Sequence, residues 1–302
     1  MSGSQKWINR LQQILPVENI KVSESIKNYT YTRLGGPADI FLTPTNFDEM
    51  KVILQTAKEC DIPVTIIGNG SNLIVKDGGI RGITISLMKM KAIKVVNQTL
   101  SLQAGAYLKH VTEAALRNEL TGLEFASGIP GTVGGAVYMN AGAYGGQISD
   151  ALTNAWVMDG DGHLLLLSKQ ELLFGYRNSI ISDKKFIVLE AEFQLEKSRY
   201  EVIKEKMEKY RLAREKKQPL EYPSCGSVFK RPAGYFAGKL IQDSGLQGLR
   251  IGGAEVSVKH AGFIVNVDNA SSKDYTDLIK VIQETVKQKF GVELETEVII
   301  LG

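Results

Sequence analysis

A stretch dense in glycine constrains this chain more than any other part of its sequence. Residues 122–146 hold eight glycines in 25 positions, against 30 glycines in all 302 residues. Glycine weakens the interior of a helix or a strand, so this stretch has to follow a path set by the needs of its backbone. Close approach of the backbone to a flat ligand would explain so many glycines. The alternative is an irregular, tightly packed loop, and we favour the ligand site.

The remaining composition is that of a folded globular protein. Hydrophobic residues make up 43% and charged residues 23% of the chain, which excludes disordered chains and chains dominated by membrane segments. A length of 302 residues predicts two or three packed units. The 36 Lys and Arg residues against 33 Asp and Glu leave a net charge of +3. Because this is close to balance, any anion-binding site has to be local.

Cysteines and apolar runs predict the compartment. Cys60 and Cys225 are too few for a disulfide framework and lack C-x-x-C spacing, so we expect a reducing, cytoplasmic environment. Residues 1–10 contain no apolar core of signal-peptide length. No later run approaches the roughly 18 apolar residues of a membrane helix, so no membrane insertion is expected.

Apolar spacing and capping signals predict mixed helices and strands. The predicted helices cover 46–60 and 107–119, a short segment after Ser168 and Glu171, a basic segment 199–217, and an amphipathic segment 275–286. Short β-branched runs, such as 63–67, predict strands. The predicted fold class is α+β, with a domain boundary near residue 198, where the basic helix begins.

Common site motifs are broken or missing. The segment Gly68–Leu73 lacks the third glycine of G-x-G-x-x-G, which disfavours a Rossmann dinucleotide fold. Gly234–Leu240 is one residue short of a P-loop and has leucine where Ser or Thr must reach magnesium. His110, His163 and His260 lie far apart, and none belongs to H-E-x-x-H. No metal is predicted.

The second glycine feature is the short loop Gly68-Asn-Gly-Ser-Asn72, which lies between two predicted strands. Where side chains are missing, successive backbone N–H groups can turn into one concavity and bind an anion such as a pyrophosphate. The alternative is a tight hairpin that joins the two strands. Residue types alone favour the hairpin.

Seven short segments together resemble the UDP-N-acetylenolpyruvoylglucosamine reductase family, in its shorter type II form. In chain order they are 28–36 (NYTYTRLGG), 66–74 (IIGNGSNLI), 127–135 (SGIPGTVGG), 140–144 (NAGAY), 176–177 (YR), 225–229 (CGSVF) and 295–298 (ETEV). The family implies an N-terminal helical segment (1–28), then a FAD-binding domain of the vanillyl-alcohol-oxidase (PCMH) type with two α/β subdomains (29–198). An α/β substrate-binding domain (199–302) follows.

The resemblance also implies two cofactors, FAD and NADPH. FAD would be bound without a covalent link, its pyrophosphate cradled by the first glycine loop and the rest of the cofactor lined by the second glycine-rich stretch. The residues concerned are Gly68, Asn69, Gly70, Ser71, Asn72, Ser127, Gly128, Ile129, Gly131, Thr132, Gly134 and Gly135. Both placements agree with the interpretation of the two glycine features as ligand sites.

By resemblance, the chain reduces UDP-N-acetylglucosamine enolpyruvate to UDP-N-acetylmuramate in peptidoglycan precursor synthesis. Hydride passes from NADPH to FAD and then to the β-carbon of the enolpyruvyl ether, so negative charge develops on the α-carbon and its carboxylate. Arg177 and Glu297 match the family's pair that stabilises this enolate through charge-assisted hydrogen bonds. Ser227 matches the family's proton donor to the α-carbon.

Each of these three residues also has an ordinary structural interpretation. Arg177 would cap the preceding short helix, Glu297 would pair with a lysine on the last strand, and Ser227 would be a turn residue. The order of the family motifs around them favours the catalytic roles. Because serine is a weak acid, Ser227 needs a Lys or Arg nearby to stabilise the alkoxide that it leaves.

Four further residues are candidates for substrate binding by resemblance. Lys217 matches a position that holds the diphosphate of the sugar nucleotide, and its alternative is a solvated charge on the basic helix. Tyr176 is a candidate pocket residue or a core tyrosine. His260 falls where the family contacts substrate. Arg231 stands where some members have asparagine, and its guanidinium could bind the diphosphate.

Other functions compete with this interpretation. An oxygen-using FAD oxidase of the same fold has no need for the Ser227 and Glu297 motifs, and a non-catalytic flavin or nucleotide-sugar binding protein would not need all three catalytic residue types. Nucleic-acid binding through 199–217 is disfavoured, because four Glu interleave its eight Lys and Arg and aromatic stacking residues are lacking. We therefore expect a small-molecule substrate and no nucleic-acid partner.

Overall fold

The computed structural model describes Trp7 and residues 10–302. Residues 1–6, 8 and 9 of the predicted N-terminal helical segment lie outside the described residues. Further along that segment, Ile20–Ser25 is a strand, so the helical prediction does not hold there. Its β-branched Ile20 and Val22 favour extended backbone, and the strand lies beside Pro37–Leu42 in a sheet.

Helices and strands alternate along the described residues, and we number them in chain order. The α-helices are α1 (Phe47–Glu59), α2 (Leu108–Arg117), α3 (Val133–Tyr138), α4 (Ile148–Ala151), α5 (Ile180–Lys184), α6 (Tyr200–Lys217), α7 (Ala237–Asp243) and α8 (Ser272–Phe290). Strands β1 to β10 are Ile20–Ser25, Pro37–Leu42, Val64–Ile67, Leu73–Val75, Ile80–Ser86, Ile93–Val96, Thr99–Gln103, Leu120–Thr121, Gly142–Ala143 and Gly146–Gln147. Strands β11 to β19 are Leu152–Met158, Leu164–Ser168, Ile187–Gln194, Glu196–Lys197, Ser224–Ser227, Arg250–Ile251, Ala254–Val256, Phe263–Asn266 and Ile299–Leu301. Short 3-10 helices lie at Val17–Asn19, Ile26–Tyr29, Leu87–Lys89 and Glu124–Ala126.

Local capping explains where the longer helices begin and end. Helix α1 begins after Asn46, whose side chain accepts a hydrogen bond from the Glu49 N–H at 2.9 Å. Helix α8 begins with a capping box formed by Ser271 and Asp274. It ends at Gly291, whose φ of 67° lies in the left-handed region that favours glycine. The ends of α1 agree with the helix predicted over 46–60, whereas α8 extends beyond the predicted segment 275–286 at both ends.

The helix predicted after Ser168 is wrong. The Ser168 N–H and hydroxyl both donate to the Glu171 carboxylate, at 2.8 and 2.7 Å, so the capping interactions form. The chain then turns over residues 169–173 instead of continuing as a helix, and Leu173 has a left-handed φ of 44°. A cap satisfies only the first groups of a helix, and it does not determine whether the following residues continue as a helix.

The described chain divides into two compact units, each built from separate stretches of sequence. The first contains the described residues up to Val22, then Ile40–Asn69 and Gly82–Ala213. The second contains Ser23–Asp39, Gly70–Arg81 and Arg214–Gly302. The boundaries predicted at residues 28 and 198 concern binding domains, and they stay predictions.

An antiparallel sheet in the order β12-β11-β13-β7-β6 forms the centre of the first unit. Side chains from this sheet and from α1, α2 and α3 form one buried apolar cluster. Helix α3 lies inside the glycine-dense stretch, where no helix is predicted. A Cβ on Gly134 in α3 would lie 2.9 Å from the Cβ of Ala104, so this glycine permits close helix packing. Strand β3 pairs in parallel with β5.

The second unit contains an antiparallel sheet in the order β15-β18-β17-β16. Its buried core includes Leu240 and Ile241 from α7, together with Tyr275, Leu278 and Ile282 from α8. Strand β19 pairs in parallel with β4, so the end of the chain lies beside the segment that follows the first glycine loop.

This mixture of helices and sheets confirms the predicted α+β class. In the part of the chain that the structure describes, no helix combines the length and the apolar character needed to cross a bilayer.

Candidate active site

The first glycine loop is not a hairpin. Strands β3 and β4, which flank Gly68–Asn72, do not pair with each other among the described residues: β3 pairs with β5, and β4 pairs with β19. The loop therefore joins two different sheets. Gly70 has a left-handed φ of 66°, and a Cβ there would lie 2.1 Å from the Tyr29 carbonyl oxygen. Only glycine fits this position, as the anion-cradle interpretation requires.

Two of the predicted cofactor-binding segments meet inside the first unit. A Cβ on Gly68 would lie 2.7 Å from the Oγ1 of Thr132. Thr132 is 2% exposed and has extended backbone immediately before α3. The glycine at 68 therefore lets the loop lie directly against the start of the second glycine-rich segment, although the two are far apart in sequence.

Buried polar atoms in these segments fit a polar ligand such as FAD. Among the described residues, Asn69 Nδ2 and Ser127 Oγ are buried and have no hydrogen-bond partner. Leaving such a donor unsatisfied costs about 1–3 kcal/mol, and an unsatisfied buried group calls for an explanation. Pyrophosphate, ribose and flavin groups carry the acceptors that an amide N–H and a hydroxyl need. The residues present therefore fit the cofactor.

The remaining residues predicted to line FAD lie close to these atoms in the chain. Gly128 and Ile129 follow the 3-10 helix Glu124–Ala126, and the Ile129 N–H donates to the Ala126 carbonyl at 3.0 Å. The Gly131 carbonyl accepts from the Leu108 N–H at 3.0 Å, which ties this stretch to α2. A Cβ on Gly135 would make only ordinary contact with Thr132. Backbone bonds thus fix the stretch, as preorganisation for a ligand requires.

Glu124 is a residue that the sequence reasoning missed. It is 3% exposed and accepts hydrogen bonds from Thr121 Oγ1 at 2.5 Å and from the Gly122 N–H at 3.0 Å. Lys206 of α6 lies 3.5 Å away. Burial by itself raises the pKa of Glu124, but the hydrogen bonds and Lys206 outweigh it and leave the pKa below its usual value. This carboxylate anchors the turn that leads into Ser127; its lysine partner is 82 positions away, so no local signal marks it.

Arg177 is held in a strained turn of the first unit. Its φ of 54° is left-handed, and it lies between Gly175 and Asn178, which form an isolated bridge. Its Nη2 donates to the Gly142 carbonyl at 3.2 Å, and its Cζ lies 5.2 Å from the centre of the Tyr176 ring. No helix precedes it within residues 164–176, so the alternative role as a helix cap is wrong. Strain of this kind is typical of functional positions.

Asn140 builds the frame around Arg177. This residue is 2% exposed, and its Nδ2 donates to the Gly175 carbonyl at 3.0 Å. Its Oδ1 accepts from the Ser149 N–H at 3.0 Å. Asn140 and Gly142 both belong to the NAGAY segment, which the sequence analysis noted without giving it a role. The structure assigns it the task of holding the turn that carries Arg177.

Ser227 and Glu297 come together in the second unit. Ser227 ends β15 opposite Phe263 of β18, and the pairing shifts register between Ser224 and Ser227. Such irregularities re-aim side chains, and the Ser227 side chain is exposed. The Glu297 N–H donates to the carbonyl of Val228, the residue after Ser227, at 2.8 Å. The two candidate catalytic residues therefore lie on adjacent segments.

The alternative in which Glu297 pairs with a lysine of the last strand is wrong, because β19 contains only Ile299, Ile300 and Leu301. The neighbouring Glu295 forms an ion pair with Lys230 instead.

Asn72 has a different side-chain role from its neighbours in the loop. Its Nδ2 donates to the Glu297 carbonyl at 3.0 Å, and the Ile299 N–H donates to the Asn72 carbonyl at 3.1 Å. Both bonds position the Glu297 segment. Ser71 stays a prediction, with no bond that indicates its role.

Three candidate substrate-binding residues also lie in the second unit. The Nδ1 of His260 accepts from the Gly262 N–H at 3.2 Å, so a neutral ring carries its proton on Nε2. Burial, and then the positive charge of Lys217 at the end of α6, lower the pKa of His260. Arg231 donates from Nε to the Tyr235 carbonyl at 3.3 Å, and its Cζ lies 3.9 Å from the centre of the Phe236 ring.

Tyr176 is 56% exposed, so the core-tyrosine alternative is wrong. No group of three or more His, Cys, Asp or Glu within the described residues is arranged to hold a metal ion.

Comparison with protein families gives two matches that together span most of the chain. The profile described as "FAD binding domain" matches residues 38–168. The profile described as "UDP-N-acetylenolpyruvoylglucosamine reductase, C-terminal domain" matches residues 218–301. The matched ranges contain all the predicted FAD-binding residues, Ser227 and Glu297.

Similar proteins agree with the profiles. UDP-N-acetylenolpyruvoylglucosamine reductase 2 of Bacillus cereus is 58% identical over 97% of this chain and 96% of its own length. The reductase of Staphylococcus aureus is 54% identical over 97% of this chain and 95% of its own length.

Solved structures show the same relationship in three dimensions. The crystal structure of UDP-N-acetylenolpyruvylglucosamine reductase (MurB) from Thermus caldophilus matches with a TM-score of 0.81 and 34% identity, over 94% of this chain and all of that one. Phl p 4.0202, a glucose dehydrogenase, matches with a TM-score of 0.51 and 16% identity over 65% of this chain and 44% of that one, which concerns the fold alone. These matches confirm the predicted α+β fold with a FAD-binding domain and a C-terminal domain.

Proposed function

The chain belongs to the UDP-N-acetylenolpyruvoylglucosamine reductase family and is a FAD-dependent oxidoreductase of peptidoglycan synthesis; from this premise we propose that it reduces UDP-N-acetylglucosamine enolpyruvate to UDP-N-acetylmuramate with NADPH as the hydride donor. When bound, FAD supplies the chemistry of accepting and then delivering a hydride. The residues of the chain have to bind both partners, stabilise the charge that develops and supply a proton.

The first task of the chain is to hold the cofactor. Asn69 Nδ2 and Ser127 Oγ are the donors that FAD would satisfy, and they belong to the two segments that meet at Gly68 and Thr132. This arrangement is the observation that supports the proposal best, because it explains a close glycine contact and two unsatisfied buried donors at once. Gly70 keeps the backbone of the loop turned in a way that a side chain would prevent.

The second task is to stabilise the enolate of the substrate. The guanidinium of Arg177 is held by the bond from its Nη2 to the Gly142 carbonyl. We assign it to the substrate carboxylate, where charge-assisted bonds strengthen as negative charge develops. Glu297 is the second group that we assign to this stabilisation, and its backbone is fixed by Asn72 and Val228.

The third task is to deliver a proton. We assign it to the Ser227 Oγ, which would protonate the α-carbon after hydride has reached the β-carbon. The preceding Gly226 has a left-handed φ of 77°, and apart from its two chain neighbours no described residue has an atom within 4 Å of where its Cβ would be. Space beside Ser227 is thus available for a substrate.

Substrate binding is assigned to residues with suitable charge and exposure. Lys217 and Arg231 are cations for the diphosphate, and His260, whose lowered pKa keeps it neutral at pH 7, donates a hydrogen bond from Nε2. The exposed Tyr176 offers a ring and a hydroxyl. We further propose that the reaction occurs in the reducing cytoplasm, where Cys60 and Cys225 stay free thiols, and that it serves cell shape and division.

An anaerobic absorption spectrum tests the proposal. Flavin absorbance should bleach on addition of NADPH and return on addition of UDP-N-acetylglucosamine enolpyruvate. Recovery only in air would favour an oxidase of the same fold. Uptake of FAD without any response to NADPH would favour a binding protein, and steeply salt-dependent binding to DNA would support a nucleic-acid function.

A further inference from the structure

A cavity of about 700 Å³ lies in the second unit, and its size is typical of pockets for small molecules. Of the described residues that line it, none has a role in the proposed reduction. One wall comes from residues 27–33, which include most of the NYTYTRLGG segment, a motif that the proposed function does not use. The opposite wall comes from Tyr222, Pro223 and residues 266–270.

The cavity carries an excess of positive charge. Lys27 and Arg33 both line it, and within the described chain neither side chain has a hydrogen bond or an ion pair. The one carboxylate among the described lining residues is that of Asp268. It lies 3.1 Å from the Nη2 of Arg250, which compensates its charge. Two uncompensated cations therefore face the space.

The walls are fixed to each other before any ligand arrives. The Nδ2 of Asn266 donates to the Thr32 carbonyl at 3.0 Å, and its Oδ1 accepts from the Ala270 N–H at 2.9 Å. One partly buried amide thus joins both walls. Because a preorganised site loses less conformational entropy on binding, this frame favours a ligand site over a collapsible surface groove.

Neutral groups complete the lining. Asn28 and Asn269 present side-chain amides, and Asn269 is held at a left-handed φ of 46°. Tyr222 is 46% exposed and offers a ring face as well as a hydroxyl. Polar donors beside an aromatic face suit a ligand with a charged end and a flat or apolar end.

We propose that this cavity binds a phosphorylated small molecule, with Lys27 and Arg33 on the phosphate and Tyr222 on the remainder. A phosphate monoester carries a charge of about −1.5 to −2 at pH 7, which matches two uncompensated cations, whereas a single carboxylate would leave one of them unmatched. Arginine also binds phosphate oxygens in a bidentate manner. No described residue that lines this cavity is among those assigned to the reduction.

Isothermal titration of the FAD-loaded protein tests the proposal, with AMP and inorganic phosphate as probes and acetate as a single carboxylate. AMP is expected to bind, phosphate to bind more weakly and acetate more weakly still. The double variant Lys27→Gln/Arg33→Gln should weaken AMP binding about 100-fold, from two lost charge-assisted bonds. Tyr222→Ala should weaken AMP binding and leave phosphate binding unchanged.

A matched control removes the same charge elsewhere in this unit. Lys76→Gln/Lys280→Gln alters two exposed lysines outside the cavity and should bind AMP as the unmodified chain does, as should Ser227→Ala. Equal loss in the control, loss in Ser227→Ala, tighter binding of acetate than of AMP, or no binding of AMP at millimolar concentration would each overturn the proposal. If the double variant does not retain FAD, the two single variants replace it, each with a loss of about tenfold.

Discussion

Substituting Gly68 by alanine tests the contact between the two glycine-rich segments. The added Cβ would lie 2.7 Å from the Thr132 Oγ1 but 3.8 Å from the Thr132 Cβ and Cγ2. The first separation is too short for a real contact and the others are ordinary, so the penalty comes from one hydroxyl. Because Thr132 is 2% exposed, its surroundings restrict its movement. Overpacking of this kind costs about 1–3 kcal/mol.

The penalty is expected in the free energy of unfolding, measured with urea on FAD-free protein, and in weaker FAD binding, measured by flavin fluorescence. Replacing glycine by alanine by itself stabilises a protein by about 0.4–1 kcal/mol, because it reduces the conformational entropy of the unfolded chain. The net loss of unfolding free energy in Gly68→Ala is therefore about 1–2 kcal/mol. Gly160→Ala is the control that measures this stabilisation alone, because apart from its chain neighbours no described residue lies within 4 Å of its Cβ position. The double variant Gly68→Ala/Thr132→Ala lacks the hydroxyl that the new Cβ would meet. Its loss of unfolding free energy should therefore be about 1 kcal/mol smaller than the sum of the losses in the two single variants.

Two results would refute this reasoning. One is a Gly68→Ala protein that is as stable as Gly160→Ala and binds FAD normally. The other is strict additivity of the Gly68→Ala and Thr132→Ala costs, which would mean that the two residues do not meet.

Three further predictions concern individual groups. Ser227→Ala should leave flavin reduction by NADPH near normal and slow reoxidation by the sugar nucleotide about 10²–10⁴-fold, because only the second half-reaction needs an acid; stopped-flow absorbance separates the two. Glu124→Gln should cost about 1–3 kcal/mol of unfolding free energy at pH 7. Because the folded pKa of Glu124 is lowered, this difference should shrink in urea titrations as pH falls below the usual value of 4.5. Lys217→Gln should raise the pKa of His260, measured by NMR titration, because it removes a positive charge that lowers it.

Each of these predictions has a control and a contrary outcome. Equal slowing of both half-reactions by Ser227→Ala would contradict a role as proton donor. Glu205→Gln, on the exposed face of α6, should change stability little, and a Glu124→Gln cost that does not vary with pH would contradict the role of its charge. Lys216→Gln removes the adjacent positive charge and is the control. A larger rise in the pKa of His260 in this variant than in Lys217→Gln would contradict the proximity of Lys217 to His260.

Local sequence signals predicted the parts of the fold that depend on local energies. The N-cap of α1 at Asn46 forms as predicted, since its bond joins residues three positions apart. The capping box of α8, which the sequence analysis does not predict, has the same local spacing. The same reasoning failed after Ser168, where the capping bonds form but no helix follows. Capping fixes where a helix can begin, and tertiary packing decides whether it continues.

Contacts between distant segments could not be predicted in this way. The sequence does not show that Gly68 lies against Thr132, that Lys206 reaches Glu124 or that Asn72 holds the Glu297 segment. The order of the motifs predicted the residue set of the site, whereas the packing assigned some members other tasks. Gly134, for example, serves helix packing against Ala104.

The sequence by itself determined the α+β class, the capped helices and the family, because composition, periodicity and motif order are properties of the chain alone. Only the tertiary structure decided that the first glycine loop joins two sheets instead of forming a hairpin, since strand pairing depends on partners far away in sequence. It also decided that residues 23–39 and 70–81 fold with the C-terminal part of the chain. Burial of apolar surface stabilises whichever segments pack together, and that free energy does not depend on their order along the chain.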